Sequence, residues 1–130
     1  MSNKFKEVIS DFGTVFNVIS VDMYPDDYSG DIANDIRFVR YSVLFTNAED
    51  YNHQRDTELS GLLIARIFSE KGYAASTAYD DAGTLDTALE GKRLPNGTTL
   101  GKSTLEQPID DPANETLVFM QYQIPFTQFR

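Results

Sequence analysis

Three aspartate pairs (Asp26-Asp27, Asp80-Asp81 and Asp110-Asp111), a single histidine and the run Gly101-Lys102-Ser103-Thr104 are the residues whose types could do chemistry here. A calcium loop needs oxygen ligands at alternating positions, a glycine at its sharp turn and a closing bidentate Glu. Asp26-Asp27-Tyr28-Ser29-Gly30-Asp31 lacks that register, and adjacent carboxylates in turns serve first as turn formers on a solvated face. No metal is assigned to the pairs; any divalent binding there is weak and non-specific. His53, in Tyr51-Asn52-His53-Gln54-Arg55, stands alone in a polar segment, the setting of a solvated residue rather than of a base or ligand. Leu100-Gly101-Lys102-Ser103-Thr104 copies only the end of a phosphate-binding loop, with Pro95 and Asn96 where the upstream glycine is required. No Gly-x-Ser-x-Gly elbow occurs. Zero cysteines exclude disulfides and thiolate catalysis. The inventory points away from an enzyme and calls for no cofactor.

Charge narrows the partners. Twenty carboxylates against eleven basic side chains give a net charge of −9. Nucleic-acid affinity rests largely on Lys and Arg neutralising phosphates, and Lys92-Arg93 is the only adjacent basic pair. No apolar run approaches the roughly 20 residues that cross a bilayer. The start, Met-Ser-Asn-Lys-Phe-Lys, carries charge inside its only apolar stretch, unlike a secretory signal. The expectation is a protein with no membrane association, made in the cytoplasm.

The elements that must position these residues can be read in order. The 130 residues suit a single domain spanning 1–130. Phe5, Val8, Ile9 and Phe12 have helical spacing over 4–11, and residues 14–24 and 36–46 are rich in β-branched and aromatic residues, as strands are. After a polar linker over 47–55, Leu59, Leu62, Leu63, Ile67 and Phe68 recur at i, i+3, i+4 and i+8, and Lys71-Gly72 offers a stop. The spacing predicts the main helix over 57–71. Residues 73–116 hold only scattered large apolar positions and read as a long interaction loop. Pro95-Asn96-Gly97 within them marks a hairpin, so 84–107 is expected to be an extended polar hairpin or flap, ordered against a neighbour. Residues 117–126 alternate as a final strand. The expected fold is α+β, an antiparallel or mixed sheet packed against the 57–71 helix.

Aromatics divide the same way. Phe16, Phe38, Tyr41, Phe45, Phe68, Phe119 and Tyr122 fall at core positions, while Tyr24, Tyr28, Tyr51, Tyr73, Tyr79, Phe126 and Phe129 lie in loops or at element ends, where interfaces recruit such residues. Leu94, Asn96, Gly97, Leu100, Tyr79, Phe126 and Phe129 are the candidate subunit-interface residues.

The buried strand ending Tyr41-Ser42-Val43-Leu44-Phe45-Thr46, the amphipathic stretch Leu59–Phe68, a long variable segment and the final strand Leu117-Val118-Phe119-Met120-Gln121-Tyr122-Gln123-Ile124 follow one another over residues 36–126. In that order, and in size and acidity, the chain resembles the tail-terminator and tail-completion (neck) proteins of long-tailed bacteriophages. Its opening helix is shorter than such proteins often have. The resemblance implies a virion structural protein of the tail or neck, assembled in the host cytoplasm. Its partners would be further copies in a homo-oligomeric ring, commonly a hexamer, together with the tail tube and head–neck proteins. DNA would pass through without specific binding, repelled by an acidic lumen or loops to which Asp26, Asp27, Asp31, Asp110 and Asp111 are the candidates.

Two other classes remain open: a small acidic inhibitor or nucleic-acid mimic that engages a host protein, and a small-molecule-binding or enzyme-like α+β domain whose site residues carry no visible signature. Asp→Asn substitution at those five carboxylates separates ring from mimic, because apolar and backbone contacts hold a ring together. Light scattering is expected to find assembly retained. Loss of a host-protein interaction with folding intact would instead favour the mimic.

Overall fold

The final strand of this chain lies inside its sheet rather than at the border. The computed structural model describes residues 4–32, 36–51, 56–72 and 74–129. Its elements run α1 (Lys4–Phe16), β1 (Met23–Pro25), β2 (Arg37–Tyr51), β3 (Asp56–Glu70), α2 (Ala74–Leu89), β4 (Thr98–Leu100), β5 (Thr104–Leu105), β6 (Ile109–Asp110) and β7 (Leu117–Phe129). The seven-stranded sheet is ordered β1-β2-β3-β7-β4, and β5 and β6 also pair with β7. β1 is parallel to β2, and the other pairings are antiparallel. The fold is α+β, a mixed sheet packed against helices.

The main helix, however, is not at 57–71. That stretch is β3, paired with β2 on one edge and β7 on the other. Its apolar residues satisfy two periods at once. Leu59, Leu63, Ala65 and Ile67 are buried on the helix-covered face, while Leu62, Ile64 and Phe68 alternate onto the other. A central strand apolar on both faces looks like a helix stripe when only large residues are counted. Gly61 decides the matter: a Cβ there would run into the Leu44 carbonyl and the Phe126 ring. Gly61 pairs with Phe45, beside the register shift between Phe45 and Asn47. Residues 47–51, read as linker, continue β2; His53 lies outside the described residues.

Two further readings change. Helix α1 extends through Phe16 into the stretch read as a strand, burying Val8, Phe12 and Phe16 at i, i+4 and i+8; only Met23–Pro25 of 14–24 is strand. Residues 74–89, read as loop, form α2. It buries Ala78, Ala82, Leu85 and Leu89, a stripe half made of alanine, the strongest helix former yet small enough to escape a search for bulky positions. The expected flap over 84–107 therefore begins inside α2. Its turn forms, with Gly97 at φ 94°, Gly97 N–H donating to the Leu94 carbonyl (2.8 Å) and Arg93 bridging Thr99. The rest is ordered against β7 of its own chain, with Gly101 N–H donating to the Pro125 carbonyl (2.9 Å).

Both helices cover one face. Val8 and Phe12 of α1 and Leu85 and Leu89 of α2 close a core with Val39, Leu63, Ile67, Met120, Ile124 and Phe126. A smaller cluster of Phe38, Phe68 and Leu117, joined by Tyr24, Ile32 and Phe119, lies at one end of the opposite face. The Phe38 and Phe68 rings stack there at 4.7 Å. Arg37 anchors the start of β2 to α2 through a bidentate pair with Asp81 (2.8 and 3.1 Å). Leu63 is wholly buried in the central strand. Leu63→Ala is expected to lower stability by about 2–5 kcal/mol, read as a shift in urea midpoint; a change under about 0.5 kcal/mol contradicts this placement.

Candidate functional site

An α1 carboxylate organises the Pro95-Asn96-Gly97 turn. Asp11 is 1% exposed and accepts the Asn96 N–H (3.0 and 3.2 Å to its two oxygens) and the Thr98 N–H (3.4 Å). Buried Gln128 donates from Nε2 to the Asn96 carbonyl (3.0 Å). A buried charge is tolerable when backbone amides converge on it in this way. The turn is thereby tied to α1 and β7 of its own subunit, and Leu94, Leu100 and Phe126 beside it are buried in the core. These three are therefore core residues rather than the surface contacts expected of them. Asn96 and Gly97 form the turn itself. Phe129 pairs with Glu58 in the β3–β7 ladder. Tyr79 is 49% exposed.

The carboxylates expected to line a lumen fall into two groups on opposite sides of the sheet. Asp26 and Asp27 follow β1, whose last residue pairs with Tyr41, and Asp110 pairs with Val118. Two of them meet cations: Asp26 lies 3.0 Å from Arg66 and Asp110 lies 3.5 Å from Lys71. Asp111 accepts the Ala113 N–H (2.9 Å) as a turn former, and the Asp31 carbonyl accepts from the Tyr28 hydroxyl (3.1 Å). The structure thus separates Asp26, Asp27 and Asp31 on the β1 side from Asp110 and Asp111 on the β7 side.

Two borders of the sheet carry apolar surface that the described residues leave uncovered. On the β2 side, the pairing with β1 stops at Tyr41, and among the described residues β2 continues beyond it with no strand on that edge. A groove of about 360 Å³ runs there past Ile9, Pro25, Asp26, Asp27, Tyr41 and Val43. Phe5 and Ile9 of α1 are 40% and 47% exposed beside it, and the Phe5 ring meets the edge of Phe45 at 5.0 Å. On the β7 side, β5 and β6 form the opposite border, where Leu105 is 39% and Ile109 is 55% exposed. A cavity of about 230 Å³ between Tyr79, Gly83, Asp86, Leu105 and Tyr122 opens beside them.

A hydroxyl–carboxylate knot joins this second border to α2. Ser103 Oγ lies 2.6 Å from Asp86 Oδ1 and 2.9 Å from Glu90 Oε2, and its N–H donates to Glu90 (3.0 Å). The Tyr122 hydroxyl donates to Asp86 Oδ1 at 2.8 Å. Burial first, then the bond to Asp86 and that group's charge, pushes the Tyr122 pKa up. The arrangement can fasten an extended segment to a helix. Among the described residues no three His, Asp or Glu side chains are placed to hold a metal. The sequence reading missed Asp11, Asp86, Ser103 and the exposed pair Leu105 and Ile109. The i, i+4 spacing of Asp86 and Glu90 would have been the signal, had α2 been recognised.

A raised pKa means that the stability contributed by the Tyr122 phenol is whole below about pH 10, where an unfolded tyrosine is neutral, and is lost as pH rises toward the folded value. Tyr122→Phe is expected to cost about 1 kcal/mol at pH 7 and to flatten the alkaline fall in urea midpoint. Identical alkaline slopes in the two proteins contradict this.

Comparison with known proteins adds the fold and nothing more specific. No protein-family model matches the chain, and no curated protein matches it. A solved structure whose name states no function superimposes with a TM-score of 0.72 at 10% identity, over 98% of this chain and 96% of that one. At that identity the likeness is one of architecture.

Proposed function

We propose that this chain is a ring-forming structural subunit of a bacteriophage tail, a tail-terminator or neck protein that caps the tail tube and joins it to the head. One observation carries the self-assembly: the sheet ends in two unlike apolar borders on opposite sides of the molecule. Ile9 and Phe5 mark one border, and Leu105 and Ile109 mark the other. Unlike borders that fit each other join copies head to tail, and such contacts close into a ring when the rotation allows. A two-fold dimer would instead use one border twice.

The phage likeness places its helix at Leu59–Phe68, which is strand β3; a helix does stand between β3 and β7, at Ala74–Leu89. Acidic loops on both sides of the sheet suit a conduit through which DNA passes without sticking. Two of the five, Asp26 and Asp110, pair with Arg66 and Lys71, which weighs against a nucleic-acid mimic that needs its carboxylates available to a basic partner.

Size-exclusion chromatography with light scattering, followed by negative-stain microscopy, is expected to find a closed ring. Leu105→Asp combined with Ile109→Asp is expected to shift the protein toward monomer without moving its urea midpoint, because both residues are exposed in the subunit. Wild-type protein that stays monomeric or dimeric at every accessible concentration would overturn this function.

A further inference from the structure

Two buried oxygens beneath α1 have nothing to bond. Among the described residues, Thr98 Oγ1 and Gln128 Oε1 are the buried side-chain polar atoms without a hydrogen-bond partner, and both residues are 0% exposed. A buried polar atom left unpaired loses its bonds to solvent and gains none in return, so each such atom calls for a physical explanation. These two are not scattered. Thr98 and Gln128 stand directly opposite each other in the β4–β7 ladder, where facing side chains start about 4.5–5.5 Å apart at Cβ.

The surrounding bonds fix both residues in place. Asp11 accepts from the N–H groups of Asn96 and Thr98, and the Asn96 carbonyl accepts from Gln128 Nε2. Asp11, Asn96, Gln128 and Thr98 therefore close a ring of neighbours between α1, the Pro95-Asn96-Gly97 turn and β7. The Gln128 amide cannot be reversed, because that would set its oxygen against the Asn96 carbonyl. Its Oε1 is an acceptor held without a donor, while the Thr98 hydroxyl has a hydrogen to give. A carboxylate offers about four acceptor positions, and Asp11, 1% exposed, makes three contacts to backbone N–H groups. Among the described residues no basic side chain pairs with it.

We infer that Thr98 and Gln128 bind a single internal water molecule. It accepts from the Thr98 hydroxyl, donates one hydrogen to Gln128 Oε1 and donates the other to the Asp11 carboxylate. About three hydrogen bonds is the usual complement of a buried water, and this allocation pairs both of the orphaned oxygens. The water is then part of the fastening between α1, the turn and β7, since removing either protein partner leaves the other unpaired. Every group involved belongs to one subunit, so the inference stands apart from the ring reading.

Nuclear Overhauser contacts to water test it in the intact wild-type chain. The Thr98 N–H and the Gln128 side-chain amide are expected to show the sign of a bound rather than a bulk water. Oxygen-17 relaxation dispersion counts such waters: Thr98→Val, which keeps the shape and removes the hydroxyl, is expected to lose about one of them, and Thr98→Ser to lose none. Thr98→Val is also expected to raise the unfolding equilibrium constant about tenfold. The wild-type urea midpoint is expected to be the same in LiCl, NaCl and KCl of equal ionic strength. A midpoint raised by one of these cations in wild type but not in Thr98→Val would place an ion beside Asp11 and overturn the water. Absence of bound-water contacts at Thr98 and Gln128, or a Thr98→Val protein with the wild-type number of bound waters, overturns it equally.

Discussion

Strand β3 must be covered twice over, and most of the architecture answers to that demand. Its backbone needs a partner on each edge, and its side chains are apolar on each face. β2 and β7 satisfy the edges. Both helices cover Leu59, Leu63, Ala65 and Ile67. On the other face the turn after β1 folds back, so that Tyr24 and Ile32 shelter Phe38 and Phe68. The remaining part of that face carries Leu62 and Ile64 with partial cover and Leu44 at 50% exposure. A strand of this kind favours one arrangement strongly, because a one-residue slip would turn Gly61 away from Phe126 and send a bulky side chain into its place.

Polar groups do the fastening where apolar packing is thin. Asp11 clasps the turn after α2, Arg37 and Asp81 join the first residue of β2 to α2, and Asp86 with Ser103 and Tyr122 pins the strip beside β7. Each joins residues distant in sequence, and each uses at least one largely buried group, so water competes poorly for the bond. The strip from Thr98 to Asp110 needs this help. Its strands are two or three residues long, and its exposed Leu105 and Ile109 contribute little to its own subunit.

Much of the class of fold was legible in the residues, and less of the placement. The alternation through Val39, Tyr41, Val43 and Phe45, and again through Met120, Tyr122, Ile124 and Phe126, announces half-covered strands plainly, as does the turn chemistry of Pro95-Asn96-Gly97. What misled was residue size. Counting large apolar side chains made β3 a helix, because a strand buried on both faces has no polar side to reveal its period. The same counting hid α2, whose inner stripe is half alanine. The site was less legible still. Asp11 contacts Asn96 across 85 positions of sequence, and nothing local in Ser-Asp-Phe-Gly marks that carboxylate as an anchor. Leu94 and Leu100, flanked by polar residues, read as exposed but pack inward because the strip they belong to lies along β7.

The position of β7 between β3 and the β4–β6 strip has a consequence for how the molecule is made. β2 and β3 are neighbours in sequence and can pair as a hairpin as soon as both are synthesised, but the second edge of β3 waits for residues 71–116 to be made before β7 exists. At translation rates of ~5–20 residues per second that interval is roughly 2–10 s. During it the edge of β3, with Leu62, Ile64 and Phe68 along it, has no native partner and is free to pair with the same edge of another nascent chain. Polysomes crowded with this message would be the hazardous setting. The wait is long enough for α2 to form and dock early, shielding one face of the hairpin while its edge stands open.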